Sequence, residues 1–335
     1  MAVNENLAQL SDSAFTFSIV TYSLAMVGFA AEYAFGRRGW VALSSEQLVH
    51  AAVGGADRAA VGGGASALPT DPPTGPQLAA RLGAVALGLT VLGAVLQVAS
   101  LALRGVAAGR APWGNMFEFA SAVVLVAVLG YLWAVARAPR LRHLGMFVLI
   151  PVIFVLVYAG LRLYAEAGPL VPALRSYWLV IHVATAIIAT GIFLLSFVAS
   201  VLYLIRHRYD RAAAGDKRMP RLAGALGPRL PEAAVLDRLA YRTVAFAFPI
   251  WTFAVIAGAI WAEAAWGRFW GWDPKETWAF IAWVVYAAYL HARVTAGWRG
   301  VSAARINLLG FFAMSFNFIV VNLVVSGLHS YAGLT

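Results

Sequence analysis

The sequence predicts an all-α protein, a polytopic integral membrane helix bundle of about eight transmembrane helices with both termini outside. Hydrophobic residues make up 61% of the 335 residues and charged residues only 12%, and the mean hydropathy is +0.76. A soluble domain of this length would expose too much apolar surface at that composition. The number of apolar segments and the uneven distribution of basic residues support the same conclusion.

Eight segments are apolar and approach or exceed the length that crosses a bilayer, which takes about 20 helical residues for roughly 30 Å of hydrocarbon. No repeat or nucleotide-binding motif interrupts them, so we treat residues 1–335 as a single integral membrane domain. The segments are Phe15–Phe35, Leu78–Leu103, Met116–Ala136, Leu144–Leu161, Trp178–Ile205, Val244–Ala265, Glu276–Ala292 and Ile306–Leu328.

The orientation follows from the basic residues in the connections. One alternate set of connections holds 19 of the 25 lysines and arginines, and the other set holds 6. Basic residues collect on cytoplasmic loops, so the richer set is predicted to be cytoplasmic and both termini outside. This distribution also accounts for the net charge of +10, and no nucleic-acid partner is expected.

Two cytoplasmic connections are long. Residues 36–77 are rich in glycine and contain a Pro72-Pro73 pair, which predicts a flexible loop. Residues 206–243 hold nine basic residues, so this basic loop is expected to lie against anionic lipid headgroups.

The connection before the seventh segment is rich in tryptophan. It reads Trp266-Gly-Arg-Phe-Trp-Gly-Trp-Asp-Pro-Lys-Glu-Thr-Trp278 and is called the tryptophan segment below; the topology puts it on the outer side. Asp273 at the N-cap, Pro274 at the first helical position and Glu276 two residues later predict a helix start. The indoles suit either a surface for a large flat ligand or an interfacial anchor.

Two histidines lie at the same predicted depth as the tryptophan segment. His182 is near the outer end of the fifth segment, and His329 follows the outer end of the eighth. Lone histidines in membrane helices are often packing residues, but ionisable groups there are functional candidates. A haem iron takes two axial ligands on opposite faces of a disc, so the pair predicts a haem site.

His291 lies near the inner end of the seventh segment, roughly 22 Å along the helix from Glu276 at 1.5 Å per residue. It therefore belongs to a different, inner site, for which this chain offers no clear second ligand. The absence of cysteine excludes a disulfide, a thiolate-bound metal and a haem attached covalently to this chain.

Two other classes of protein are less consistent with these residues. A bis-histidine membrane electron carrier of cytochrome b type would carry paired histidines on the same helices at both depths. A transporter that uses the tryptophans only as an anchor would leave His182, His291 and His329 unexplained.

The tryptophan segment resembles the WWD signature of the haem-handling superfamily, and the order of the three histidines resembles the CcsA/ResC family, called CcsB in some bacteria. Four further stretches resemble that family. They are Trp113-Gly-Asn-Met-Phe-Glu118, Ser176-Tyr-Trp-Leu-Val-Ile-His182, Leu290-His-Ala-Arg-Val-Thr-Ala-Gly-Trp298 and Gly327-Leu-His-Ser-Tyr331.

The resemblance implies the membrane subunit of a System II cytochrome c synthase, a haem lyase-type complex. Haem b, the transported substrate, would enter at the inner site through His291 and reach the outer WWD segment, residues 263–278. There His182 and His329 would ligate the iron while thioethers form to the Cys-x-x-Cys-His of an apocytochrome c. The chemistry would rest on positioning, with no catalytic residue in this chain.

The resemblance also implies the contacts and the partners. The haem-contacting residues would be Trp266, Trp270, Trp272, Asp273 and Trp278. Apart from the resemblance, Arg268 and Lys275 are cations at the water edge, which suits either pairing with the haem propionates or simple snorkelling to the membrane surface. A ResB/Ccs1-type membrane partner would supply the other inner ligand, and a thioredoxin-like protein would reduce the apocytochrome thiols. The location would be the bacterial plasma membrane. The alternative within the superfamily is a CcmC-type haem exporter without synthase activity, which has fewer spans.

Overall fold

The structure is a computed structural model that describes residues 3–54, 74–170, 174–215, 218–295, 297–325 and 327–329. Within these ranges the chain is helical and contains no strand, so the predicted all-α class is confirmed. The helices are α1 Glu5–Gly54, α2 Thr74–Ala108, α3 Met116–Arg137, α4 Gly145–Arg162, α5 Tyr177–Ala213, α6 Arg221–Leu226, α7 Ala233–Trp266, α8 Pro274–Val294 and α9 Val301–Leu323, with 3-10 turns at Pro139–Leu144 and Gly227–Arg229.

In the part of the chain that the structure describes, seven helices are long and apolar enough to cross a membrane. The protein is therefore a multi-pass membrane protein, and the predicted polytopic helix bundle is confirmed. Of the eight predicted segments, the seventh is not among these seven helices. The seventh predicted segment does form α8, whose 21 residues give a length of about 31 Å. Charged residues at both of its ends make it less apolar than the others. The outside location of both termini stays a prediction.

The long connections are shorter than the sequence predicts. Helix α1 continues to Gly54 and α2 begins at Thr74, so only the middle of the predicted 36–77 loop lies between helices, and residues 55–73 are outside the described residues. Likewise α5 extends to Ala213 and α7 begins at Ala233, on both sides of the short helix α6. The cytoplasmic location of both connections stays a prediction.

Helix α5 is the central element of the bundle. One face, with Ile187, Leu194 and Leu202, packs into a core built mainly with α1, α3 and α4. The opposite face, with Ala189 and Phe193, packs into a second core built with α7, α8 and α9. A residue near the start of α5 can therefore contact elements from both halves of the chain.

Local sequence signals set the helix ends near the tryptophan segment. Gly267 ends α7 in the left-handed conformation, φ 70°, which glycine adopts without steric cost. Asp273 begins α8 with a capping box that Glu276 completes, and Pro274 follows at the first helical position. The predicted helix start is therefore confirmed, and it fixes the tryptophan segment between two membrane helices.

Candidate ligand-binding site

A cavity of about 190 Å³ lies at the end of the bundle that carries the tryptophan segment, between α3, α5, α7, α8 and α9. His182 and His329 both line it, so the structure brings the two predicted histidines together at one site. The rest of the lining is largely aromatic and aliphatic. The aromatic residues in it are Trp113, Phe119, Trp251, Trp261, Trp266, Phe269, Trp270 and Phe318.

His182 is held in one orientation by α7. Its Nδ1 lies 2.8 Å from the backbone oxygen of Ala254, and its ring stacks on Trp261 at 6.0 Å and 7°. Because a carbonyl oxygen only accepts hydrogen bonds, Nδ1 carries the proton and Nε2 carries the lone pair. Gly258 leaves room for the ring, since a Cβ there would lie 2.7 Å from His182 Cε1.

His329 is held by a carboxylate. Its Nδ1 lies 2.9 Å from Asp273 Oδ2, which again assigns the proton to Nδ1 and the lone pair to Nε2. Its ring is 5.8 Å from Trp261 and 5.0 Å from Trp266. Trp261 therefore packs against both imidazoles.

Asp273 connects three parts of the chain. Besides His329, it accepts hydrogen bonds from the backbone nitrogens of Lys275 and Leu328, at 3.1 and 2.7 Å. Burial raises the pKa of this carboxyl, but hydrogen bonds led by that from His329 outweigh burial and lower the pKa to about 2. Burial also lowers the pKa of His329 below its usual 6.5. A neutral imidazole and an ionised carboxylate are therefore the states at pH 7.

The tryptophans of the tryptophan segment do not share one flat surface. Trp266 and Trp270 line the cavity, whereas Trp272 is 65% exposed and meets Trp270 edge to face at 90°. Trp272 has φ 58°, a left-handed backbone that is uncommon for a bulky residue. Trp278 turns away from the cavity and packs on Phe316 of α9, with ring centroids 4.0 Å apart.

The two cations of the tryptophan segment differ in position. Lys275 lines the cavity, and its Nζ contacts Asn322 Oδ1. Arg268 lies outside the lining, 3.5 Å from Glu276 Oε1 and over the ring of Trp266 at 5.8 Å.

His291 is not part of this site. It lies in the last turn of α8, at the opposite end of that helix from Asp273, and is exposed. Its Nδ1 is 3.5 Å from Thr295 Oγ1. Its role in a second, inner site stays a prediction.

The family to which known proteins relate this chain is matched over the part of the sequence that forms the cavity. The sequence model of the family described as Cytochrome C assembly protein matches residues 113–329, a range whose first and last residues both line the cavity. The chain is 34% identical over 262 residues to "Cytochrome c biogenesis protein CcsA" of Guillardia theta, covering 75% of this chain and 86% of that protein. The protein of the same name from Parasynechococcus marenigrum is 35% identical over 276 residues, covering 75% and 87%.

The chain belongs to this cytochrome c assembly family. The resemblance to CcsA in the sequence is thereby confirmed, and the family match covers every element that lines the cavity, from the loop before α3 to the residues after α9. Helices α1 and α2 lie outside the matched range, and none of their described side chains contributes to the lining.

The sequence does not predict some of the residues that line the cavity. Trp251 and Trp261 read as ordinary apolar residues of a membrane helix, and Asn317 as a polar residue within α9. A signal does exist on α7, where Trp251, Gly258 and Trp261 lie on one helical face because their spacing is seven and then three residues. The sequence does not show that this face lines a site, because that depends on His182 of α5 packing against it.

Proposed function

We propose that this protein is the membrane subunit of a System II cytochrome c synthase, which carries haem and presents it for thioether attachment to apocytochrome c. The observation that carries the proposal is the pair of histidines, from α5 and from the chain after α9, that line one aromatic cavity. In both, Nδ1 is engaged by an oxygen acceptor, so Nε2 of each ring has the lone pair that iron coordination needs.

The lining residues fit a porphyrin in chemistry. Aromatic rings suit a flat apolar macrocycle, and two neutral imidazoles suit axial coordination of its iron. The volume of about 190 Å³ is below the roughly 300–1,000 Å³ of typical ligand pockets, so the macrocycle would extend beyond the cavity. Phe269, which is 60% exposed at the rim, marks the direction in which an edge would reach the acceptor protein.

The role of the protein in the reaction is to hold and orient its substrate. Each apocytochrome thiol adds across one haem vinyl group: sulfur bonds to one vinyl carbon and the proton goes to the other, so no oxidant is needed. The chain has no cysteine, so both thiols come from the acceptor. Fixing the vinyl groups close to the thiols supplies most of the rate enhancement.

Haem would reach the cavity from an inner site. His291 is exposed at the opposite end of α8 from Asp273, where it is accessible to a ResB/Ccs1-type partner that supplies the second ligand. A thioredoxin-like protein keeps the acceptor thiols reduced. The location is the bacterial plasma membrane, with the tryptophan segment on the extracytoplasmic side.

Haem spectra of the protein purified with its partner test the proposal. The wild type is expected to show low-spin haem, and His182→Ala or His329→Ala to lose it or to bind haem loosely, with cytochrome c formation restored by added imidazole. His207→Ala is the control, since His207 stacks on Tyr203 and does not line the cavity. Unaltered spectra and normal cytochrome c formation in both cavity variants would refute the assignment.

A further inference from the structure

A second cavity, of about 260 Å³, adjoins the first. The two cavities share one wall, formed by the loop before α3 and by residues at and before the start of α5. The shared residues are Trp113, Gly114, Leu174 and Leu179. A ligand that extends out of the first cavity on this side would therefore meet the residues of the second.

The second cavity is lined by cations and by no carboxylate among the described residues. Arg110 and Arg175 both line it, together with Ser176, the N-cap of α5. The partial positive charge at a helix N-terminus adds to that of the guanidinium groups. The cavity therefore favours an anion.

Arg175 is an exposed cation that forms no ion pair among the described residues. Arg110 forms an ion pair with Glu118 at 2.7 Å, and Glu118 is fully buried. In the described part of the chain, by contrast, Arg175 donates Nε to the backbone oxygen of Leu170 at 3.1 Å and has no carboxylate within ion-pair distance. Its guanidinium can form a charge-assisted bond to a carboxylate from outside the protein.

Trp113 provides a second, independent indication. Its indole Nε1 is buried, and over the ranges that the structure describes it has no hydrogen-bond partner. Buried donors are nearly always satisfied because an unmade hydrogen bond is costly. Trp113 is part of the wall between the two cavities, so an acceptor on a ligand that crosses this wall would satisfy it.

We propose that the second cavity receives the carboxylate edge of the ligand held in the first, with Arg175 as its ion-pair partner and the Trp113 indole as a hydrogen-bond donor. The inference rests on the proposed function, in which these carboxylates are the haem propionates. It competes with the contacts that the sequence predicts for Arg268 and Lys275. Those two cations are accompanied by Glu276 and Asp273, whereas Arg175 has no acidic neighbour of this kind.

The assignment determines how the porphyrin faces its acceptor. The propionates occupy one side of the macrocycle and the vinyl groups lie away from them. If the propionates enter the second cavity, the vinyl-bearing side stays in the first cavity, which the tryptophan segment lines.

The test compares haem with haem dimethyl ester, in which both carboxylates are masked, by titration of the complex purified with its membrane partner. Esterification is expected to weaken binding to the wild type by roughly tenfold or more, because hydrogen bonds to charged groups are lost. Arg175→Gln and Trp113→Phe are each expected to weaken haem binding but not ester binding, so that the difference between the two ligands shrinks. Arg162→Gln, an exposed arginine outside both cavities, is the control and keeps the full difference.

The outcomes separate this inference from the proposed function. The inference is overturned if both variants keep the full difference in affinity between haem and its dimethyl ester. It is also overturned if Lys275→Gln, and not the two variants, abolishes that difference. In either case a low-spin haem spectrum that depends on His182 and His329 leaves the proposed function standing. If the wild type forms no low-spin haem complex, both fail.

Discussion

The carboxylate of Asp273 lies 2.9 Å from Nδ1 of His329, so the residue that begins α8 also orients an imidazole after α9. The sequence motif Asp-Pro-Lys-Glu reads as a helix cap, and the structure confirms the cap. The same side chain has a second role that the cap does not reveal. A carboxylate that accepts from the distal nitrogen of a ligating histidine fixes its tautomer and increases its basicity.

Asp273→Asn separates these two roles. The amide oxygen retains the ability to cap α8 and to accept from His329 Nδ1, while the negative charge is lost. Loss of such an outer partner lowers the affinity of a ligated metal by about 10–100-fold, and we expect a weaker haem complex with a raised reduction potential. Haem titration and a potentiometric titration measure both quantities.

The control for Asp273 is Glu263→Gln, which removes a charge from an exposed residue of α7. A variant at Asp273 with wild-type affinity and potential would show that this carboxylate acts only as a helix cap. Equal changes in both variants would indicate a general effect of net charge.

Gly258→Ala tests the placement of His182. The added Cβ would lie 2.7 Å from Cε1 and 2.8 Å from Nδ1 of the imidazole, closer than real Cβ contacts, so the ring must move away from Ala254. Alanine otherwise favours a helix by up to about 1 kcal/mol over glycine, and the expected result is a folded protein that loses low-spin haem. Absorption spectra and thermal unfolding in detergent are to be measured together.

Gly88→Ala is the matched control for this substitution. Gly88 is also in a membrane helix, and a Cβ there has nothing within 4 Å, so the haem spectrum should be unchanged. If Gly258→Ala retains a normal spectrum, the hydrogen bond between His182 and Ala254 is not needed to present the ligand nitrogen.

The features that the sequence predicts well are local ones. Each apolar segment becomes a helix because hydrophobic side chains and internally satisfied backbone groups are what a bilayer requires. The start of α8 is equally local, since Asp273, Pro274 and Glu276 act within one turn. The pairing of His182 with His329 also follows from the sequence, because alternate crossings put both residues at the same end of the bundle.

The division of the tryptophans among different surroundings could not be predicted. Trp266 and Trp270 line the cavity, Trp272 is exposed and Trp278 packs on α9, although all four belong to one motif. Their directions depend on the left-handed turn at Gly267 and on how α8 crosses α9. Trp251 and Trp261 enter the lining through helix packing, which hydropathy does not encode.

A buried ion cluster lies next to the wall that Trp113 and Gly114 contribute to the cavity. Glu118, fully buried at the start of α3, pairs with Arg104 at 2.8 Å and Arg110 at 2.7 Å. It also accepts from the backbone nitrogen of Gly114 at 2.8 Å, next to Trp113. Arg104 reaches Asp12 of α1 at 3.2 Å, which connects this wall to the first two helices.

Glu118→Gln is expected to destabilise the protein by about 3–5 kcal/mol, because removing one partner of a buried pair leaves charge uncompensated. The measurement is the thermal unfolding midpoint in detergent with and without haem. Asp210→Asn removes the charge from the partly exposed pair with Arg206 and should cost about 0–1 kcal/mol. Similar midpoints for the two variants would show that the buried cluster does not stabilise this wall.

His291→Ala tests whether the inner site exists. The residue is exposed and has a hydrogen bond no shorter than 3.5 Å, so its loss should leave the free energy of unfolding within about 0.5 kcal/mol of the wild type, as for other surface substitutions. Haem loading in cells that contain the partner is nevertheless expected to fall, because the proposed function has haem bind at this histidine before it reaches the cavity. Haem added directly to the purified complex from the cavity side should still give the low-spin spectrum of His182 and His329. If haem loading in cells is unchanged, haem reaches the cavity by a route that does not include His291.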